Sequence, residues 1–159
     1  VRIELNKFSW SPVIEVAVLF LGIFTTMTPA LAYLNANAAS LGLTDAWQFY
    51  YSTGLLSSFL DNTPTAVAFH SVAAGLTADQ IAAFGGNMMA GIPEILLTAI
   101  CIGAVFFGAM TYIGNGPNFM VKAIAEESGV KMPSFFGYMY KFSLIVLLPI
   151  YILVQLIFL

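Results

Sequence analysis

The chain has 159 residues, of which 60% are hydrophobic and only 8% carry a charge. So few charges cannot cover a water-facing surface, and the composition therefore predicts an integral membrane protein. The net charge of −3, without basic clusters, argues against nucleic-acid binding. The single Cys101 excludes intrachain disulfides and a thiolate metal site.

The first predicted transmembrane segment is 12–34, whose 23 mostly apolar residues are enough to cross a bilayer with some tilt. Three threonines and a proline between positions 25 and 29 make its middle unusually polar. The chain starts at Val1 rather than Met, directly before this segment. We therefore expect it to be the C-terminal part of a longer protein.

Two shorter apolar segments follow, on either side of Leu60-Asp61-Asn62-Thr63-Pro64-Thr65. As helices they would reach about 22 and about 18 Å, against a hydrocarbon core of about 30 Å. We therefore predict a re-entrant helical hairpin over 46–76, with its polar tip inside the membrane. A surface turn between two soluble helices is the alternative, which the composition disfavours. Polar, non-helical backbone at membrane depth indicates a functional site.

The third membrane segment, 93–121, is predicted to be a broken transmembrane helix. Its apolar part ends at Gly114-Asn115-Gly116-Pro117-Asn118, and an amphipathic stretch follows. An ordinary helix C-cap with a turn at the membrane surface is the alternative interpretation. The last predicted span is 138–159. The predicted fold class is all-α integral membrane, with three transmembrane helices (one broken) and one re-entrant hairpin in a single membrane domain, 1–159.

The basic residues predict the orientation. All five lie at 2–7 or 122–141, and the stretch from Phe8 to Val121 has none. The positive-inside rule places both basic regions in the cytoplasm, and the loops 35–45 and 77–92 are then outside. The residues between these loops are too few for two full spans, so a hairpin that enters and leaves by the outer face fits. We expect a multi-pass protein of the cell inner (plasma) membrane.

The two polar breaks share the form Asn-x-Pro-polar, at Asn62 and at Asn115. In each, the proline is predicted as the first residue of a new half-helix. Each break would place the free carbonyls of one helix C-terminus beside the free amides of a helix N-terminus. Carbonyl, Asn, Thr and Asp oxygens suit a cation such as Na⁺, and discontinuous helices build the sites of secondary transporters in this way.

The residues Ser57-Ser58-Phe59-Leu60-Asp61-Asn62-Thr63-Pro64-Thr65 resemble the hairpin tip of the ion transporter superfamily. That superfamily includes NhaD-type sodium/proton antiporters, citrate and dicarboxylate transporters and arsenite permeases. The break at 114–118, followed by Ile124-Ala125-Glu126-Glu127-Ser128-Gly129, is similar to the superfamily's broken helix and its extension. The resemblance implies the second half of an inverted-repeat transporter, whose first repeat is absent from this sequence. It also implies Na⁺ binding where tip and break meet.

Asp61 bears on the choice between two functions. The dicarboxylate carriers of the superfamily usually have Ser before the Asn-Thr pair, whereas antiporter-like members have Asp, as here. We therefore predict a Na⁺/H⁺ antiporter-like secondary transporter that works by alternating access, with Na⁺ and H⁺ competing at the hairpin tip. The alternative is a sodium-coupled citrate, dicarboxylate or oxyanion permease, and a passive channel is not separated from these by sequence.

The predicted ion- and substrate-binding residues come from both breaks: Asp61, Asn62, Thr63, Thr65, Asn115, Gly116 and Asn118. Within this set, the predicted Na⁺ ligands are Asn62, Thr63 and Asn118. The candidates for proton coupling are Asp61, Glu15 and His70. For these three the alternatives are a paired structural carboxylate, an acid favoured by the helix dipole and a buried, hydrogen-bonded histidine, respectively.

No nucleophile–base pair and no HExxH motif is present, so the chain is not predicted to be an enzyme. No cofactor is predicted apart from the transported or coupling Na⁺. The expected partners are the lipid bilayer, Na⁺ and H⁺, the N-terminal repeat and a second copy of the protein in a homodimer.

Overall fold

The computed structural model describes residues 10–159, except for the side chains of residues 11–13, 15, 16 and 19. The chain is mostly helical. Its first helices are α1 (Ser11–Ala36), α2 (Ala46–Ser57), α3 (Asn62–Ala74), α4 (Ala78–Phe84), α5 (Glu94–Phe107) and α6 (Gly116–Glu127). A continuous last helix consists of α7 (Phe135–Tyr138), a π-helical segment (Met139–Leu147) and α8 (Leu148–Phe158). A short 3₁₀ turn (Ala38–Leu41) follows α1, and an antiparallel ladder pairs β1 (Met88–Met89) with β2 (Ile92–Pro93).

Within residues 10–159, one helix is both long and apolar enough to cross a bilayer, the 24-residue helix Phe135–Phe158. It starts three residues before the predicted span because Ser134 caps it, accepting the Gly137 N–H at 3.2 Å. The helix α1 has 26 residues and closely matches the predicted segment 12–34. The basic residues predicted to orient it, at 2–7, lie outside the described residues.

The arms of the predicted hairpin are two short helices, α2 with 12 residues and α3 with 13. At the helical rise they are about 18 and about 20 Å long, both less than the roughly 30 Å of a hydrocarbon core. A capping box starts α2, in which Gln48 Oε1 accepts the Asp45 N–H at 3.2 Å. The first arm is therefore shorter than the predicted 46–60, whereas the second starts three residues before the predicted 65–76 and is one residue longer. The break between them is non-helical from Ser58 to Asp61.

The helices α2 and α5 pack side by side and run parallel. A Cβ on Gly103 would lie 2.6 Å from the Tyr50 carbonyl oxygen, and a Cβ on Gly54 would lie 2.5 Å from the Phe107 ring. Both positions are glycine because each backbone touches the neighbouring helix. Because Tyr50 lies beside Gly103 and Gly54 lies beside Phe107, the C-terminal ends of α2 and α5 are next to each other. From there α3 runs back in the opposite direction.

The helices α1 and α3 are joined at their C-terminal ends. Asn35 Nδ2 donates to the Ser71 carbonyl at 3.0 Å, and Ser71 Oγ donates to the Leu31 carbonyl at 3.0 Å. Gly75 lies directly against the Asn35 carbonyl, where a Cβ would not fit. These contacts fix one end of the pair.

The predicted outer loop 77–92 contains more structure than its glycine content suggested. Thr77 and Gln80 form a capping box that starts α4. The ladder that follows is contacted by His70, whose Nε2 lies 3.0 Å from the Ala90 carbonyl oxygen. The second arm of the predicted hairpin is thus tied to the loop that leads into α5.

Burial separates an inner aromatic cluster from a broad apolar exterior. Tyr50, Phe107 and Tyr151 are buried, with the Phe107 ring 5.2 Å from that of Tyr50 and 4.6 Å from that of Tyr151. On the last helix, Leu156 and Ile157 are more than 70% exposed. Such an exterior suits lipid contact, because a soluble monomer exposes only limited contiguous apolar surface.

Candidate functional site

The two helix breaks touch each other at two glycines. The first break, 58–61, joins α2 to α3, and the second, 108–115, joins α5 to α6. A Cβ on Gly114 would lie 2.9 Å from the Ser58 carbonyl oxygen. A Cβ on Gly108 would collide with Asn62 Oδ1 and lie 3.2 Å from Asn115 Nδ2. Glycine at both places allows the two chain segments to lie in direct contact, backbone against backbone at Gly114 and backbone against the Asn62 side chain at Gly108.

Each break starts its following helix with an Asx cap. Asp61 Oδ1 accepts the Asn62 N–H at 2.7 Å, and Asn115 Oδ1 accepts the Asn118 N–H at 3.0 Å. Such caps satisfy amides that the first turn leaves free. They also start the helices earlier than predicted, because Pro64 is the third helical residue and Pro117 the second. The prediction that each proline is the first helical residue is therefore wrong.

Side-chain donors reach almost every carbonyl at the end of α5 and in the first half of the second break. The last carbonyls of a helix lack partners within it, and at membrane depth no bulk water replaces them. The donor–acceptor pairs are Ser57 Oγ to Ala104 (2.6 Å), Tyr151 OH to Phe106 (2.5 Å), Ser58 Oγ to Phe107 (3.2 Å), Asn118 Nδ2 to Gly108 (3.2 Å) and Thr111 (3.3 Å), Tyr138 OH to Ala109 (3.1 Å) and Ser143 Oγ to Met110 (2.6 Å). The break is therefore a built feature with its backbone accounted for.

The end of α2 is bound in the opposite direction. Thr111 Oγ1 donates a short hydrogen bond to the Ser58 carbonyl and accepts the Gly114 N–H at 3.0 Å. Both Ser58 and Thr111 are buried. Ser58 thus donates its hydroxyl to the last residue of α5 and accepts one from the second break, which fixes the relative position of these segments.

Three of the predicted site residues are brought together at this contact: Asn62, Asn115 and Asn118. Asn62 Oδ1 accepts the Ser57 hydroxyl at 2.8 Å and faces Gly108. Asn115 Oδ1 accepts the Asn118 N–H, and Asn118 Nδ2 donates to two carbonyls of the second break. The asparagines of both breaks therefore occupy one small polar region.

Thr63, Thr65 and Gly116 lie apart from that region. Thr65 is buried, and its hydroxyl donates to the Asp61 carbonyl at 3.0 Å, a bond within its own turn. Thr63 is exposed. Gly116 is also exposed, with open space around the position of a Cβ. The structure gives these three positions no contact with the opposite break.

Asp61 is exposed and faces a cleft between α1 and α3, whereas Asn62 faces α5. The cleft has a volume of about 350 Å³ and is otherwise mostly apolar, with Ile23 and Met27 among its lining residues. His70 lies eight residues beyond Asn62 on α3, about 12 Å along the helix axis. The side chain of Glu15 lies outside the described residues. Asp61 and His70 therefore do not share one site.

The contact between the breaks is rich in oxygen atoms. The Ser57, Ser58 and Gly108 carbonyls and the Asn62 amide oxygen all lie within it or at its edge. The C-terminal dipole ends of α2 and α5 point there as well, which favours positive charge. Within the part of the chain that the structure describes, no group of three or more His, Cys, Asp or Glu residues could hold a metal ion. The chemistry available at the contact is coordination of a hard cation by neutral oxygens.

Seven residues that hold the contact together were not among the predicted site residues: Ser57, Ser58, Gly108, Thr111, Tyr138, Ser143 and Tyr151. A signal existed for the serines and the threonine, because isolated hydroxyls in apolar helices usually find a backbone carbonyl. No comparable signal marks Tyr138 or Tyr151, since tyrosines are common near membrane interfaces.

Discontinuous helices that meet in an apolar protein are typical of secondary transporters. A model of a family described as "putative citrate transport" matches residues 2–159, and the chain belongs to that family. Comparison with curated proteins and with solved structures gave no match. The resemblance expected from the hairpin tip is thereby confirmed at the level of citrate-transporter-like permeases. The antiporter-type branch and the repeat structure stay predictions.

Proposed function

We propose that the chain is part of a Na⁺-coupled secondary transporter, and that Na⁺ binds where the two helix breaks meet. The observation that supports this most is the convergence of two helix C-termini on a pair of glycines, with Asn62 between them. That arrangement supplies backbone and amide oxygens at short range. The family to which the chain belongs agrees with a transport role and not with an enzyme.

A cation at this place would be held mainly by groups that the fold fixes in advance. The Ser57 and Ser58 carbonyls lie at the end of α2, and the Gly108 carbonyl follows the end of α5. The Asn62 side chain is oriented by the Ser57 hydroxyl at 2.8 Å. Preorganised oxygens favour an ion that gives up part of its hydration shell, and Na⁺ is small enough to approach such a closely packed contact.

In the antiporter form of this proposal, Asp61 exchanges Na⁺ for H⁺ at the hairpin tip. Asp61 is next to Asn62 in the chain and borders a cleft, so it is accessible while its neighbour contacts the second break. A carboxylate can ligate Na⁺ only when it is deprotonated, and binding of one ion is therefore linked to release of the other. Alternating access would expose the tip first to one side of the membrane and then to the other.

The second candidate is a sodium-coupled permease for citrate or a related carboxylate, and the family description supports it. In that case Na⁺ at the contact would bind together with the anion, and Asp61 would serve as a helix cap. The two candidates share the Na⁺ site and differ in what moves with it.

The shared site is tested by Asn62→Ala and Asn118→Ala in the complete protein reconstituted in liposomes. We expect the Na⁺ concentration for half-maximal transport to rise about five- to fiftyfold, because Asn62 supplies an oxygen and Asn118 holds the Gly108 carbonyl. Asn37→Ala is the matched control, since Asn37 Nδ2 donates only to the Tyr33 carbonyl one turn away, at 2.9 Å. Wild-type Na⁺ dependence in both site variants would rule out this location.

A further inference from the structure

The last helix presents three hydroxyl groups to the end of α5 and to the second break. Two of them, from Tyr138 and Ser143, bond to the carbonyls of the residues directly after Gly108. The third, from Tyr151, bonds to the Phe106 carbonyl, two residues before Gly108. The carbonyls on both sides of Gly108 therefore accept hydrogen bonds from the last helix.

This pattern depends on the π-helical segment Met139–Leu147. In an α-helix with 3.6 residues per turn, residues five apart such as Tyr138 and Ser143 differ in direction by about 140°. A π-helix closes its hydrogen bonds between residues five apart, so such residues lie nearly above one another. The wide turns thus bring Ser143 to the face that also holds Tyr138 and Tyr151.

Burial shields the Ser143 bond from solvent. Ser143 is fully buried, so water cannot take the place of its acceptor. Its bond to the Met110 carbonyl is short, at 2.6 Å. π-Helical turns are rare and concentrate at functional sites, which indicates that they are kept for a reason other than helix stability.

We propose that Tyr138, Ser143 and Tyr151 are positioning residues for the Na⁺ site, and that the π-helical segment exists to place them on one face. The inference rests on the proposed Na⁺ site and adds its support from the last helix. The three hydroxyls fix the carbonyls around Gly108 and so set the distance between the second break and Asn62. Their loss should weaken Na⁺ binding although none of them touches the ion.

The test measures the Na⁺ dependence of transport by the complete protein in liposomes, for Tyr138→Phe, Ser143→Ala and Ser143→Cys. Tyr138→Phe keeps the ring that packs 4.4 Å from the Tyr112 ring, so it removes only the hydroxyl. We expect the half-maximal Na⁺ concentration to rise about three- to tenfold in Tyr138→Phe and Ser143→Ala, with the maximal rate nearly kept. Ser143→Cys retains a weak donor and should fall between Ser143→Ala and wild type.

The matched control is Tyr51→Phe. Tyr51 OH bonds to Gln155 Oε1 at 3.0 Å, so this variant also removes a hydroxyl bond to the last helix, but not one to the break. Tyr140→Phe, at a position that is 74% exposed, controls for tyrosine loss within the π-helical segment itself. Both should keep the wild-type Na⁺ dependence.

The outcomes separate this inference from the function on which it rests. If Asn62→Ala shifts the Na⁺ dependence and neither Tyr138→Phe nor Ser143→Ala does, the positioning role is overturned and the Na⁺ site stands. If Tyr51→Phe shifts it equally, the effect is general packing and the positioning role is again overturned. If wild-type transport does not depend on Na⁺, both proposals fail. Should Ser143→Ala not insert, Tyr138→Phe alone decides.

Discussion

The two helix breaks have similar sequences and different roles. The first break, 58–61, both donates and accepts a hydroxyl bond through Ser58, and it reverses the chain. The second break, 108–115, provides mainly carbonyl acceptors and passes the chain on to α6. Each is therefore incomplete without the other. A shared Asn-x-Pro motif therefore does not assign a shared role.

The residues that cap the helices after the two breaks occupy different positions in the motif. The motif aligns Asn62 with Asn115, but the cap residues are Asp61 and Asn115. In structural register Asn62 therefore corresponds to Gly116, one residue away from the motif alignment. The equivalent caps differ in charge, since one is a carboxylate and the other an amide. That difference is the most direct way to test what each break does.

The largest expected effect comes from Asp61→Asn, which makes the first cap chemically like the second. An Asn side chain can still accept the Asn62 N–H, so α3 should still start at the same place. It cannot exchange a proton. In the antiporter form, Na⁺-driven proton movement should be abolished, measured by a pH-sensitive dye in everted vesicles. Wild-type Na⁺ affinity should weaken as the pH falls, because protons compete for the carboxylate.

Asp79→Asn is the control for this variant, because it removes an exposed carboxylate from the first turn of α4. If Asp61→Asn keeps antiport at the wild-type rate and pH profile, the exchange site lies elsewhere. If it instead leaves Na⁺-stimulated uptake of labelled citrate intact and no proton movement is seen in wild type, the permease form is the correct one.

A smaller effect is expected from Gly108→Ala and Gly114→Ala, each of which adds a Cβ at the contact between the breaks. The Gly114 Cβ would lie 2.5 Å from the Gly108 carbonyl oxygen as well as close to the end of α2. The Gly114 methyl group meets only backbone atoms and must push the breaks apart, whereas the Gly108 methyl group displaces the Asn62 side chain from the contact. We expect the Na⁺ affinity to fall at least tenfold, measured by Na⁺ titration of transport.

Gly22→Ala is the matched control, because a Cβ at Gly22 meets nothing within 4 Å. It should preserve both expression and Na⁺ affinity. Unchanged affinity in Gly108→Ala and Gly114→Ala would mean that the breaks do not need to touch for ion binding, and the proposed site would then be wrong.

The smallest effect on transport is expected from cysteines that test whether the first break reverses the chain. In a Cys101→Ser background, cysteines at Ala39, Ala82 and Ser128 occupy exposed positions. We expect membrane-impermeant reagents to label the first two from outside intact cells and the third only after permeabilisation. A cysteine at the neighbouring position, Ala38, would not react with the reagent because this side chain is only 1% exposed. Labelling of all three from one side would contradict the hairpin.

Sequence predicted the features that depend on local chemistry. The short arms of 46–76 and the break near Asn115 follow from segment length and from Pro, Gly and Asn, whose backbone preferences act over a few residues. The helix starts were misplaced by one or two residues because Asp61 and Asn115 act as caps before the prolines. Asn62 and Thr63 are adjacent in the sequence, and only three-dimensional packing shows that Asn62 contacts Gly108 whereas Thr63 does not.

The last helix could not be interpreted from sequence. Its apolar composition predicted a span, but α-helical periodicity places Tyr138 and Ser143 on different faces. The isolated Ser143 hydroxyl predicts a bond to some backbone carbonyl, but tertiary packing decides that the carbonyl is that of Met110. The Tyr138 bond to the Ala109 carbonyl has no sequence signal at all.

The joint between α1 and α3 has a mechanical consequence. The pair is pinned at Asn35, Ser71 and Gly75, while Ile23 and Met27 at the other end stand apart from Asp61 across a cleft. Because the described hydrogen bonds between α1 and α3 lie at one end, a small change of angle there would produce a larger displacement at the other end. The predicted hairpin tip lies at that other end, where it is bonded to the second break and separated from α1 by the cleft. A displacement of α1 relative to the tip would therefore leave intact both the bonds at Asn35 and Ser71 and the contact between the two breaks.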